Sequence, residues 1–161
     1  MSQQGTRERA AARVAFALGS IHTGAGKLMW PRMAREARQL GVRLSVFPGG
    51  RLGSERAEDR ERLFVYDLIG PEGADGLISW ASSLGGAAGE EELQRFHARW
   101  ASLPLVTIAQ RVGSSPIARI DAYGGMRALR AHLLGQHGLR APALIRGPRS
   151  HVSAGERLQA Y

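Results

Sequence analysis

The stretch "VAFALGSIHTGAGKLMWPRMAREARQLGVRLSVF", residues 14–47, decides the fold. It opens on a compact apolar run, 14–18, of the kind a buried strand shows. A glycine-rich loop follows over 19–27. Met29, Met33, Ala37 and Leu40 then recur at helical spacing and predict a helix over about 28–40. Pro31 falls in the first turn of that helix, where its missing N–H does no harm, and Gly41 stops it. Residues 42–47 alternate apolar and polar side chains and read as a second strand. Strand, helix and strand in immediate succession make a βαβ unit, which requires a parallel sheet.

The pattern continues along the chain. Ser54 is placed to cap a helix over about 55–69, which Gly70-Pro71 ends. "DGLIS" (75–79) reads as the third strand. Three glutamates at 90–92 open a helix over about 90–102, where the helix dipole favours anions. "LVTIA" (105–109) and "IARID" (117–121) read as strands four and five. A helix over about 123–136 and a sixth strand, "PALIR" (142–146), complete the alternation. The expected architecture is α/β: a doubly wound, mostly parallel sheet of about six strands, in an order beginning 2-1-3, with helices on both faces.

Composition bounds the function. The 161 residues are 43% hydrophobic and 22% charged, as in a globular domain. No apolar run approaches 18 residues, so no membrane span is expected. The N-terminal apolar stretch is broken by Gly19 and lacks a cleavage site, which argues against a signal peptide. Absence of cysteine excludes disulfides and thiolate metal sites and fits a cytoplasmic location. The formal charge of +8 comes almost wholly from arginine, Lys27 being the only lysine. The arginines are scattered, so no direct nucleic-acid contact is expected of this segment.

In open parallel sheets, ligands bind beyond the carboxyl ends of the strands. The loops at 19–27, 47–53, 79–88, 109–115 and 121–125 therefore carry any site. "GSIHTGAGKL" fails as a phosphate loop: the first glycine position is Ile21 and the hydroxyl position is Leu28. It fails as a dinucleotide fingerprint because the third glycine position is Met29. Carboxylates are missing at the ends of strands one and three, which excludes a phosphoacceptor domain. No G-x-S-x-G elbow occurs, and the five histidines are scattered, His132 and His137 falling on different sides of a helix. No catalytic residue, metal site or cofactor is expected. His22 sits in the first ligand-facing loop, Trp80 follows the third strand and offers a ring for stacking, and Asp121 ends the fifth strand. Asp121 is suited both to capping the next helix and to accepting hydrogen bonds from a polar ligand.

Four segments carry a resemblance: "VYDLIGPEGADGLISW" (65–80), "LPLVTIA" (103–109), "IDAYGGMRALRAHLLGQHGLRAPALIRGP" (120–148) and "ERLQAY" (156–161). Together they resemble the type I periplasmic-binding-protein-like fold of the LacI/GalR sugar-responsive repressors, across about residues 13–161. "FVYDLIGPE", "DGLI", "HLLGQHG" and "IRGP" are similar, more closely, to the cytoplasmic sensor domains of bacterial proteins carrying GGDEF, PAS or histidine-kinase modules.

That resemblance implies a clamshell of two lobes. Residues 1–12 would be a disordered tail, 13–147 the N-terminal lobe, and 148–161 the hinge and first helix of a second lobe. It implies a non-catalytic sensor for a small polar, sugar-like molecule, coupled to a fused or partner signalling module; a fragment of a LacI-type transcriptional regulator is the alternative. Ser20, His22, Thr23, Trp80, Gln110, Asp121 and Tyr123 are the implied ligand contacts. A homodimer is implied too, with Leu63, Phe64 and Tyr66 too widely spread around their helix all to face inward. The sequence departs from the family at two places: "HTGAGKLMW" replaces its Asn-Pro-aromatic stretch, and Ala122 stands where Asn is common.

Overall fold

A computed structural model describes residues 11–85, 88–149 and 151–161. Most of the proposed tail, residues 1–10, lies outside the described residues. Five strands form one sheet: β1 (Arg13–Leu18), β2 (Arg43–Pro48), β3 (Gly76–Ser79), β4 (Leu105–Ile108) and β5 (Ile117–Ala118). Their order is β2-β1-β3-β4-β5 and every pairing is parallel. The helices are α1 (Gly24–Gln39), α2 (Ala57–Arg62), α3 (Ala81–Gly85), α4 (Glu90–Ala98), α5 (Ala122–Gly135) and α6 (Val152–Ala160). They cover both faces of the sheet, so the doubly wound α/β architecture read from the sequence is the one observed. Ala15, Phe16, Ala17 and Leu18 of the interior strand β1 are all fully buried, which requires a cover on each face. One of those faces packs against Tyr66, Leu77, Leu84, Leu93 and Trp100.

Four local expectations are corrected. Residues 142–146 form no strand: β5 is the edge of the sheet, no neighbour offers them a ladder, and Ile145 is 97% exposed. Helix α1 starts at Gly24, not near residue 28, so Pro31 lies inside it. Its early start depends on Gly26, where any Cβ would collide with the carbonyl oxygen of Ser20. Only glycine lets the first turn pack this closely on the loop after β1. The helix over 55–69 divides into α2 and a 3-10 helix, Leu63–Leu68. Ser54 does not cap it; its hydroxyl donates to Asp59 Oδ2 at 2.7 Å.

The 3-10 helix is held by Tyr66, whose ring is fully buried. Its hydroxyl lies 2.9 Å from the carbonyl oxygen of Leu18 and 2.8 Å from that of Gly50, sharing one proton between them. One side chain thus fixes the ends of both β1 and β2. Phe64 and Leu68, on the same short element, remain 64% and 69% exposed. Beyond β5 the architecture changes. Helix α5 packs principally on α6 rather than on the sheet, and Arg119 reaches Glu156 of α6 at 2.7 Å.

Candidate ligand-binding cleft

The strand order reverses direction between β1 and β3, and a crevice opens at their carboxyl ends, as such sheets require. Its volume is about 690 Å³. One wall is the loop after β1 and the first turn of α1: Gly19, Ser20, Thr23 and Gly24 to Gly26. A second wall comes from β3 and α3, with Trp80, Ser82 and Ser83. Arg51, Arg56, Glu58 and Asp59 supply the third, and His151, just before α6, stands at the far side.

Short hydrogen bonds fix these walls against each other. The N–H of Gly19 donates to Ser83 Oγ at 3.0 Å, and the N–H of Gly50 donates to the carbonyl of Gly19 at 3.1 Å. Trp80 donates its backbone N–H to the carbonyl of Ala17 at 2.8 Å and its indole N–H to Ser82 Oγ at 3.1 Å. Gly19 is itself obligatory, since a Cβ there would come within 2.7 Å of the Ser83 carbonyl oxygen. Three arginines, Arg51, Arg56 and Arg62, and two carboxylates, Glu58 and Asp59, line the cleft. Arg51 approaches Asp59 at 3.4 Å and Arg56 approaches Glu58 at 3.1 Å. The Ser54 hydrogen bond is the main cause holding the Asp59 carboxyl below its ordinary range, against a weaker burial effect. A cleft of hydroxyls, free helix-terminal N–H groups, paired charges and one indole suits a small polar ligand with a hydrophobic face.

The implied contacts divide. Ser20, Thr23 and Trp80 line the main cleft. His22 lies in an adjoining recess of about 280 Å³ that shares Gly19 and Ser20 with it. Gln110 lines a separate recess beyond β4, with Arg111, Arg119 and Val152. Beside it Ala109 adopts φ 65°, unusual for a residue with a Cβ. Neither Asp121 nor Tyr123 lines any of these recesses. Asp121 caps α5, its Oδ1 accepting the N–H of Gly124 at 2.8 Å. Sequence reasoning missed Arg51, Arg56, Ser82, Ser83 and His151. Arg51, Ser82 and Ser83 occupy loops already marked as ligand-facing, but nothing in their spacing set them apart; Arg56, just before α2, and His151, just before α6, lie outside those loops.

This arrangement is similar to solved structures. The Lac repressor dimer bound to operator and the anti-inducer ONPF superposes with a TM-score of 0.68 at 20% identity, covering 95% of this chain and 50% of that one. The fold is that of one lobe of a LacI-type, periplasmic-binding-protein-like domain. A periplasmic binding protein/LacI transcriptional regulator from Alkaliphilus metalliredigens, complexed with D-xylulofuranose, matches this lobe at 0.64 and 17% identity, over 93% of this chain and 50% of that one. The glucose-galactose binding protein GanP from Geobacillus stearothermophilus matches it at 0.64 and 20% identity, over 94% and 52%. The chain therefore spans about half the length of the solved chains it resembles. No family model and no curated protein matches the sequence. Among the described residues, no helix is long and apolar enough to cross a membrane.

Proposed function

We propose that this chain is a non-catalytic, small-molecule-sensing domain of a bacterial signal-transduction or regulatory protein, and that its ligand is a small polar, sugar-like molecule. The cleft between β1 and β3 carries the reading: four hydroxyl-bearing residues, Ser20, Thr23, Ser82 and Ser83, line it together with Trp80. Sugars combine hydroxyls with an apolar face, and that combination is what such a wall complements. The likeness to sugar-complexed and repressor structures supports the ligand class. The resemblance of 64–72 and 132–138 to cytoplasmic sensor domains favours a signalling protein over a LacI-type repressor. The exposed Phe64 and Leu68 support a homodimer face on the 3-10 helix.

The packing of α5 on α6 bears on lobe organisation. It favours a lobe boundary near Asp121, with α5 and α6 acting as one unit beside the sheet. In that arrangement His151 belongs to the second unit and closes the cleft from its side.

A thermal-shift screen of monosaccharides and small polyols tests the ligand class. A ligand at a hundredfold its Kd stabilises the folded state by about 2.7 kcal/mol, well within detection. Stabilisation lost on Trp80→Ala and Ser20→Ala is the expected result. Turnover of any hit, or hits indifferent to both substitutions, would overturn the reading.

A further inference from the structure

Helix α5 ends at Gly135, so His137 is no longer on its surface. Gly138, at φ 63°, reverses the chain, and the N–H of Leu139 returns to the carbonyl of Leu133 at 3.2 Å. The reversal carries His137 back over His132. Their Nε2 atoms are 3.0 Å apart, with ring centroids 4.8 Å apart and ring planes at 76°. Both side chains are exposed.

A linear N–H···N hydrogen bond at this nitrogen spacing would set the centroids about 5.3 Å apart, whereas two rings aimed at one ion, with metal–nitrogen bonds of about 2.0–2.1 Å, would set them about 4.7 Å apart. At 3.0 Å the two nitrogens share a hydrogen bond that is bent well away from linear, since the centroids are only 4.8 Å apart, and small side-chain rotations would aim both nitrogens at one ion. With the same bond lengths, a nitrogen spacing of 3.0 Å subtends about 94° at the ion, far from the tetrahedral angle that zinc takes and close to the right angle of a tetragonal site. Imidazole nitrogen in tetragonal geometry suits Cu2+ and Ni2+, and copper stands highest in the divalent affinity order.

We propose that His132 and His137 form a chelating surface site for a divalent transition metal, Cu2+ first and Ni2+ second, with water in the remaining positions. Among the described residues no cluster of three or more His, Cys, Asp or Glu side chains is placed to hold a metal, so this is a two-ligand site. It is separate from the cleft: neither histidine lines any of the recesses described above. A bound ion would join the last turn of α5 to the reversing turn and stiffen 136–139.

Titration of the folded chain with Cu2+, followed by visible absorption and paramagnetic resonance, tests the proposal. The expected result is one ion per chain with two nitrogen donors, and slowed amide exchange at 136–139. His132→Ala and His137→Ala should each weaken binding by at least about a hundredfold, because each destroys the chelate. Both positions are exposed, so an unchanged circular dichroism spectrum verifies the fold of each variant. His22→Ala and His151→Ala should leave binding intact. Copper binding that survives either His132→Ala or His137→Ala, or that follows His22 or His151 instead, would overturn the proposal, as would no binding by a folded chain.

Discussion

The Nε2 atom of His97 lies 2.7 Å from Ser79 Oγ, with both side chains buried between α4 and β3. The other ring nitrogen, Nδ1, is 2.8 Å from the carbonyl of Leu93. A carbonyl only accepts, so the proton sits on Nδ1, and Nε2 accepts from the Ser79 hydroxyl. The neutral ring is fully satisfied. The edges of Phe96 and Trp100 pack around it, with centroids 5.5 and 5.8 Å away.

Acid should unfold the protein through this residue. Burial, the largest cause, pushes the His97 pKa below its ordinary value; the Leu93 bond opposes this and the Arg99 charge adds to it. The unfolded chain therefore takes up a proton near the ordinary histidine value of about 6.5, while the folded chain still resists. The stability contribution is complete above that pH and is lost as pH falls toward the depressed folded value. Denaturant midpoints measured from neutral pH to pH 5 should fall, and His97→Gln should flatten that fall. An equal slope in the variant would assign the acid sensitivity elsewhere.

Ser79→Ala should cost about 1–3 kcal/mol, the cost of leaving a buried acceptor without its donor. Urea unfolding of the two chains reads the difference directly.

Tyr66→Phe tests the tie between the ends of β1 and β2. The ring keeps its packing, while the carbonyls of Leu18 and Gly50 lose the shared hydroxyl. A loss of about 1–3 kcal/mol is expected. Because both carbonyls border the cleft loops, amide exchange at 18–20 and 49–51 should quicken in the same variant.

Two glycine substitutions should act with opposite sign. Gly125 lies within α5, is exposed and has open space where a Cβ would go. Gly125→Ala should stabilise by about 0.5–1 kcal/mol through helix propensity. Gly26→Ala drives a Cβ into the Ser20 carbonyl, so it should lower Tm and displace the cleft loop. Any ligand found by the screen should then bind more weakly.

Asp121 separates capping from ligand contact. Asp121→Ala removes the bond to the Gly124 N–H and should cost about 0.5–2 kcal/mol, while Asp121→Asn keeps an acceptor and should restore most of it. Thermal melts of both variants check this.

The alternation of apolar strands with periodic helices indicated the parallel sheet without reference to coordinates, and the expected 2-1-3 beginning of its order, which alternation alone does not fix, is the one observed. A run such as 14–18, apolar at every position, fits only a strand covered on both faces, and connections of helical length make neighbouring strands parallel. Trp80 was legible as a cleft residue because it directly follows β3, whose carboxyl end must face the crevice, while Ser20 and Thr23 fall in the loop after β1 that the same rule marked. What the chain's own pattern left open depended on partners distant in sequence. Residues 142–146 have a strand's composition, but a strand exists only where a neighbouring edge accepts its hydrogen bonds, and none does here. Helix α1 begins at Gly24 because Gly26 meets a carbonyl of the preceding loop, a contact invisible in glycine content alone. Arg51, Ser83 and His151 converge on one cleft only through the folding of three separate loops. His132 and His137 were expected to diverge on helical spacing; they meet because the helix ends between them and Gly138 turns the chain back. Periodicity is a property of consecutive residues, whereas convergence is a property of the path between them, and that path is fixed by packing.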